Sequence, residues 1–189
     1  MPRNLDKTLA LFFAICSIGL LIAFILNRDL LDWAFTRHQN QLSWYIRPLF
    51  IIPFCFFAYK RNLAGIFFTL FCLITSMFWF PEPSVVDEKV HVFLQYEIDY
   101  LTSDWGISKM LLSLMVPVSL TLLAIAFWFR NIWFGISIMV FIAIGKVTWS
   151  ILFAGESGMT IIIPAIVGLL ICVATLTIGI TKSKASRQN

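Results

Sequence analysis

Arg47 and Lys146 stand in stretches of sequence that are otherwise apolar, and Glu97 projects from the apolar face of an amphipathic segment. A charge kept away from water is costly unless it meets an opposite charge, a proton or a polar partner. Two cations and one acid at similar depth would leave a net positive site, suited to a phosphate or a carboxylate. Hydroxyls recur at that depth in Thr75, Ser76, Ser113, Thr148 and Ser150. The candidate ligand-binding set is therefore Arg47, Glu97, Lys146, Ser76 and Ser150, lining one polar cavity. The same residues have a plainer reading. Arg47 would snorkel to lipid headgroups, and Lys146 would pair with a nearby carboxylate to fix packing.

Other chemistry is sparse. His38 and His91 are the only histidines, and both fall between apolar runs, where they read as solvated polar residues. Haem or metal ligation by the two together is conceivable but has no further support. The sequence lacks a zinc HExxH motif, a GxSxG elbow, a phosphate-binding lysine loop and a GxGxxG turn. Cys16, Cys55, Cys72 and Cys172 lie within apolar runs without a CxxC pair, as small hydrophobes do. No metal and no cofactor are expected. Asp87 and His91, four apart, could position a proton or form an ordinary surface pair.

The elements that must position these residues follow from composition. Of 189 residues, 60% are hydrophobic and 13% charged, about half the charged share of a soluble domain. The apolar residues come in unbroken runs of about 18 or more, the length that crosses ~30 Å of hydrocarbon as helix. The expected fold class is all-α: an integral membrane protein with six transmembrane helices in one domain, residues 1–189. The spans are read at 8–26, 42–59, 63–80, 107–129, 132–153 and 159–181. Arg47, Pro48 and Pro53 interrupt the second, which predicts a kink. The first run is too long for a signal-peptide core and lacks a small-residue cleavage site, so it is read as an uncleaved span. Gly155-Glu156-Ser157-Gly158 reads as a tight turn.

Lysine and arginine bias sets the expected orientation. With the N-terminus cytoplasmic, Arg3, Lys7, Lys60, Arg61, Arg130, Lys182, Lys184 and Arg187 lie inside, and Arg28, Arg37, Lys89 and Lys109 outside. Both termini are then cytoplasmic, and the longer loops 27–41 and 81–106 lie outside. Short basic inner loops and acidic outer ones fit a bacterial plasma membrane, with the lipid bilayer as the main partner and no nucleic acid. A homo-oligomer or a larger membrane complex is compatible with so apolar a surface.

Between spans three and four an amphipathic extracytoplasmic helix is expected over about 84–101, capped by Ser84. Val86, Val90, Phe93, Leu94 and Leu101 share one face, and Asp87, Glu88, His91, Gln95 and Asp99 the other. Glu97 projects from the apolar face. A parallel repeat is also suggested. Pro48, Arg61-Asn62, Gly65-Ile66 and Trp79 have counterparts in Pro117, Arg130-Asn131, Gly135-Ile136 and Trp149, at offsets of 69 or 70. Convergent turn chemistry would give the same pattern.

Three functional readings remain open. One is a non-enzymatic protein that binds or passes a small anionic or lipid ligand from an outward-facing polar cavity. The second is an accessory or assembly subunit of a larger membrane complex. The third is a lipid-modifying enzyme with Glu97 as acid or base at the outer face. The missing catalytic motifs lean away from an enzyme.

Overall fold

The computed structural model describes the backbone of residues 2–185 and the side chains of residues 2–179. Lys182, Lys184 and Arg187, which enter the orientation argument, have side chains outside that range. Every regular element among the described residues is helical. In order they are α1 (Arg3–Leu26), α2 (Arg28–His38), α3 (Leu42–Ile46), a 3-10 turn (Arg47–Phe50), α4 (Ile51–Tyr59), α5 (Leu63–Thr75) with a 3-10 extension (Ser76–Phe78), α6 (Glu88–Thr102), α7 (Ile107–Trp128), α8 (Ile132–Gly158), a 3-10 turn (Met159–Ile161) and α9 (Ile162–Ala185).

Four stretches are long and apolar enough to cross a membrane: Arg3–Leu26, Leu42–Tyr59, Ile107–Trp128 and Ile132–Gly179. Leu63–Phe78 is a shorter apolar helix. Large apolar side chains such as Leu11, Ile15, Leu111, Leu114, Ile163 and Leu170 are exposed along these helices. Water would not tolerate such faces, but hydrocarbon does, so this is a membrane-embedded protein. The 48 residues of Ile132–Gly179 would measure about 72 Å as a straight helix. They are not straight. Gly155 takes φ 55° and ψ −129°, a conformation open to glycine, and the chain doubles back so that α9 packs on α8. Gly158 lies directly on the Ser150 carbonyl, where a Cβ would not fit. The turn read at Gly155–Gly158 is therefore present.

Two helical hairpins form the centre of the bundle, α4 with α5 and α7 with α8, and they meet along α4 and α7. Their turns are built alike. Arg61 N–H donates to Ala58 O and Asn62 N–H to Phe57 O; Arg130 N–H donates to Phe127 O and Asn131 N–H to Ala126 O. Each turn is a Schellman closure with its arginine in the left-handed region, at φ 55° for Arg61 and 60° for Arg130. Asn62 and Asn131 then cap the following helices through the amides of Gly65 and Phe134. A ring crosses each turn. Phe57 covers Gly65 and Phe127 covers Gly135, so closely that a Cβ on either glycine would strike the ring.

The hairpins also exchange contacts. Arg61 Nε points to Trp128 O at 3.5 Å, and the Arg130 guanidinium lies 5.0 Å over the Tyr59 ring. Arg61 thus reaches the residue two before Arg130, and Arg130 the residue two before Arg61. This is the reciprocity of a two-fold axis between the hairpins. The repeat holds at the turns and lapses further away, because Pro48 opens a 3-10 turn while Pro117 stays inside α7.

Helix α1 runs along α5. Its Asp6 carboxylate accepts from the amides of Leu63 and Ala64 at 3.2 and 3.0 Å, which completes the N-terminal cap of α5 from another helix. Helix α9 crosses the kink of the second span at Gly168 and Cys172, and Cys172 Sγ donates to Pro48 O at 3.3 Å. Where 27–41 was expected to be a loop, α2 forms instead, capped by Asn27 on the amide of Leu30. Its Leu31, Ala34 and Phe35 are buried, which offsets the ordering entropy a free loop would keep.

Candidate functional site

The site forms at the end of the bundle that carries α2 and α6, opposite the two hairpin turns. Helix α6 begins at Glu88, later than the 84–101 reading. Asp87 rather than Ser84 caps it, its Oδ1 accepting from the amides of Lys89 and Val90 at 2.9 and 3.2 Å. A carboxylate satisfies two amides and suits the helix dipole, so it outcompetes a serine three residues earlier. Val90, Phe93, Leu94 and Ile98 form the buried face, while Leu101 is exposed. With Asp87 occupied, His91 pairs with Gln39 Nε2 at 3.1 Å and not with Asp87.

Glu97 leaves this face toward α8, where Lys146 Nζ donates to its Oε1 at 2.6 Å. The Glu97 side chain is 18% exposed and that of Lys146 43%. Lys146 also lies 4.9 Å from the Trp149 ring and 5.4 Å from that of Phe93, so its charge is held against aromatic faces. A carboxylate on an apolar face needs a cation, and the cation arrives from a helix 49 residues away.

Arg47 takes a different partner. The 3-10 turn at Arg47–Phe50, imposed by Pro48 at its start, aims the guanidinium at His38, and Nη1 donates to His38 Nε2 at 2.9 Å. Arginine can only donate, so Nε2 must carry a lone pair and His38 must be the neutral tautomer with its proton on Nδ1. Nδ1 lies 2.8 Å from Ser43 Oγ, which in turn donates to Asn40 O at 2.8 Å. Trp44 Nε1 closes the network on His38 O at 2.9 Å. His38 is buried at 5% exposure, which corrects its reading as a solvated loop residue: the packing of α2 and α3 carries it inside. Burial holds the imidazole well below the usual 6.5, and the charges of Arg47 and Lys146 push the same way.

The two charged pairs belong to one cluster. The His38 ring lies 5.9 Å from that of Trp44, Trp44 lies 5.5 Å from Phe93, and Phe93 lies under Lys146. The serines behave differently from one another. Ser76 Oγ is spent on Leu73 O at 2.7 Å, and the buried Ser150 Oγ has no partner. Two surface concavities lie elsewhere. One, lined by Lys89, Glu156, Met159 and Thr160, is about 320 Å³. The other, about 240 Å³, is an apolar groove between α7 and α8. Neither is lined by Arg47, Glu97 or Lys146.

The arrangement constrains the chemistry. Ser43 and His38 sit at catalytic distance, but the Arg47 donor fixes the imidazole proton on the serine side, so His38 cannot take the serine proton. No group of three or more metal-binding side chains forms among the described residues. What remains is electrostatic: Arg47 and Lys146 against Glu97, with His38 neutral. Sequence reasoning missed His38, Ser43 and Trp44. No local pattern in the sequence marked them, since their burial depends on how α2 and α3 pack. Comparison with protein-family models, with curated proteins and with solved structures gave no match.

Proposed function

We propose that this chain is a six-span plasma-membrane protein, of the bacterial inner-membrane type, with cytoplasmic termini, that holds a small anionic group at Arg47 on its outer side. The reading of six rests on counting the doubled-back Ile132–Gly179 as two spans and Leu63–Phe78 as a short one. The orientation rests on the hairpin turns, which carry Lys60, Arg61 and Arg130, being cytoplasmic. Helices α2 and α6 then lie at the outer face.

One observation carries the ligand reading. Arg47 is a guanidinium whose one protein partner among the described residues is a neutral imidazole, while the nearby carboxylate is already bonded to Lys146. The cluster is therefore one negative charge short. A phosphate or carboxylate would fill the remaining donors of Arg47 in a forked contact. Depth near the bilayer surface favours a lipid headgroup, and binding rather than turnover agrees with the fixed proton on His38.

The test is native mass spectrometry of the purified protein with phosphatidylglycerol. Arg47→Gln should retain less of this lipid than the wild type. Lys109→Gln, at the same end but with its ammonium held by Ser103 and the Trp105 ring, should retain as much. Equal retention by the Arg47 variant would end the proposal. For orientation, His91→Cys should react with an impermeant maleimide added to intact cells; protection there with reaction in inverted vesicles would reverse the topology.

A further inference from the structure

We infer that the opposite end of the bundle carries a second, independent anion site, formed by Arg61 and Arg130, that holds the phosphate of an anionic phospholipid. Both arginines stand in the hairpin turns at this end of the bundle. Each guanidinium leaves its own turn and reaches over the other hairpin, Arg61 to the Trp128 carbonyl and Arg130 to the Tyr59 ring. These contacts occupy one N–H of Arg61 and one face of Arg130. No carboxylate is within ion-pair distance of either among the described residues, where the ion pairs are Arg28–Asp32 and Lys146–Glu97.

The backbone gives an independent reason to look for a ligand. Both arginines hold a positive φ, at the helix-closing position that glycine fills most easily. At both turns an arginine stands where the backbone would favour glycine. Asymmetry of charge points the same way. Asp6, the acid at this end, is bonded to the amides of Leu63 and Ala64, and the exposed Arg3 and Lys7 of the same helix outnumber it. The site lies where the apolar helices end, beside the exposed Phe129 and Trp133, which is headgroup depth. An anion found there at high local concentration is a lipid phosphate, and two forked donors suit it.

The experiment uses the full chain in nanodiscs of equal phosphatidylglycerol and phosphatidylcholine, with co-isolated lipid counted by native mass spectrometry. Arg61→Gly with Arg130→Gly removes both guanidiniums and relaxes both turns, so the variant should fold. Phosphatidylglycerol enrichment should fall at least about fivefold, the scale of one interfacial basic residue or more. Lys60→Gln, whose cation rests over its own Phe56 ring, should leave the enrichment nearly unchanged. If the glycine pair does not fold, Arg61→Gln with Arg130→Gln serves instead. Unchanged enrichment in the double variant overturns the site, and so does an equal loss in Lys60→Gln, because the attraction would then be diffuse. Displacement of the lipid by millimolar inorganic phosphate overturns the lipid assignment. Arg47 is intact in these variants, so failure here leaves the outer-side proposal standing and the converse also holds.

Discussion

Acid should destabilise this protein through one buried imidazole. His38 is neutral in the folded chain because Arg47 donates to Nε2, while its Nδ1–H donates to Ser43 Oγ. Protonating it would turn the Arg47 contact into two opposed donors and bury a cation beside a guanidinium. Burial, then Arg47, then Lys146 therefore hold its folded-state value below the ordinary 6.5. In the unfolded chain His38 takes up its proton near 6.5. Below that pH the unfolded state binds more protons than the folded one, so stability falls as pH falls. The contribution is fully present above about pH 7.5. It declines by about 1.4 kcal/mol for each pH unit below 6.5, until the folded imidazole itself titrates. Between pH 7.5 and 5.5 the loss is about 1.4 kcal/mol, or roughly 3–5 °C in midpoint for a chain of this size. Thermal unfolding followed by near-UV circular dichroism in micelles, at half-unit pH steps, measures it. His38→Gln keeps an acceptor for Arg47 and cannot titrate, so the wild-type slope minus the variant slope isolates this residue. Identical slopes would refute the buried neutral imidazole. A wild type that gains on the variant in acid would mean that His38 is charged when folded and that Arg47 does not donate to it.

Three further outcomes are expected. A double-mutant cycle of Glu97→Gln and Lys146→Met should give a coupling of about 1–3 kcal/mol in denaturant unfolding, between the values of exposed and buried pairs, because the carboxylate is mostly buried and the ammonium is not; a coupling near zero would make the 2.6 Å contact incidental. Asp6→Ala should cost about 1–3 kcal/mol by leaving two helix-start amides of α5 without their carboxylate, with Asp6→Asn intermediate; no change in midpoint would show that α1 does not cap α5. Gly155→Ala should lower the midpoint by the equivalent of about 1–3 kcal/mol, since φ 55° with ψ −129° excludes a Cβ, and a neutral result would mean that α8 and α9 are joined differently.

Much of the architecture was legible before any tertiary contact was known, because it rests on local rules. Unbroken apolar runs can satisfy their backbone only as helices in lipid. Pro48 lacks the N–H a continuous helix needs, and a 3-10 turn marks the place, while Pro53 sits in the first turn of α4 where proline is tolerated. Gly155 and Gly158 reverse the chain where their spacing suggests. Glu97 falls on the apolar face of α6 by periodicity alone, and a partner for it was required by electrostatics. The matched arginine and asparagine of the two hairpin turns announced a shared geometry, since capping depends on residues one to four apart.

What periodicity could not decide was which distant groups meet. Lys146 and Glu97 are 49 residues apart, and Asp6 lies 57 from Leu63; whether such groups touch depends on helix crossing, which no local pattern encodes. The same limit explains His38. Its neighbours in sequence are polar enough to suggest a loop, but α2 packs its apolar residues into the core shared with α6, and the imidazole is carried inside with them. Once there it became the partner of Arg47, leaving Lys146 for Glu97. The kinds of charge in the site were set by the sequence; their pairing was settled by packing, because only a fixed distance in a poorly screening interior makes one partner better than another.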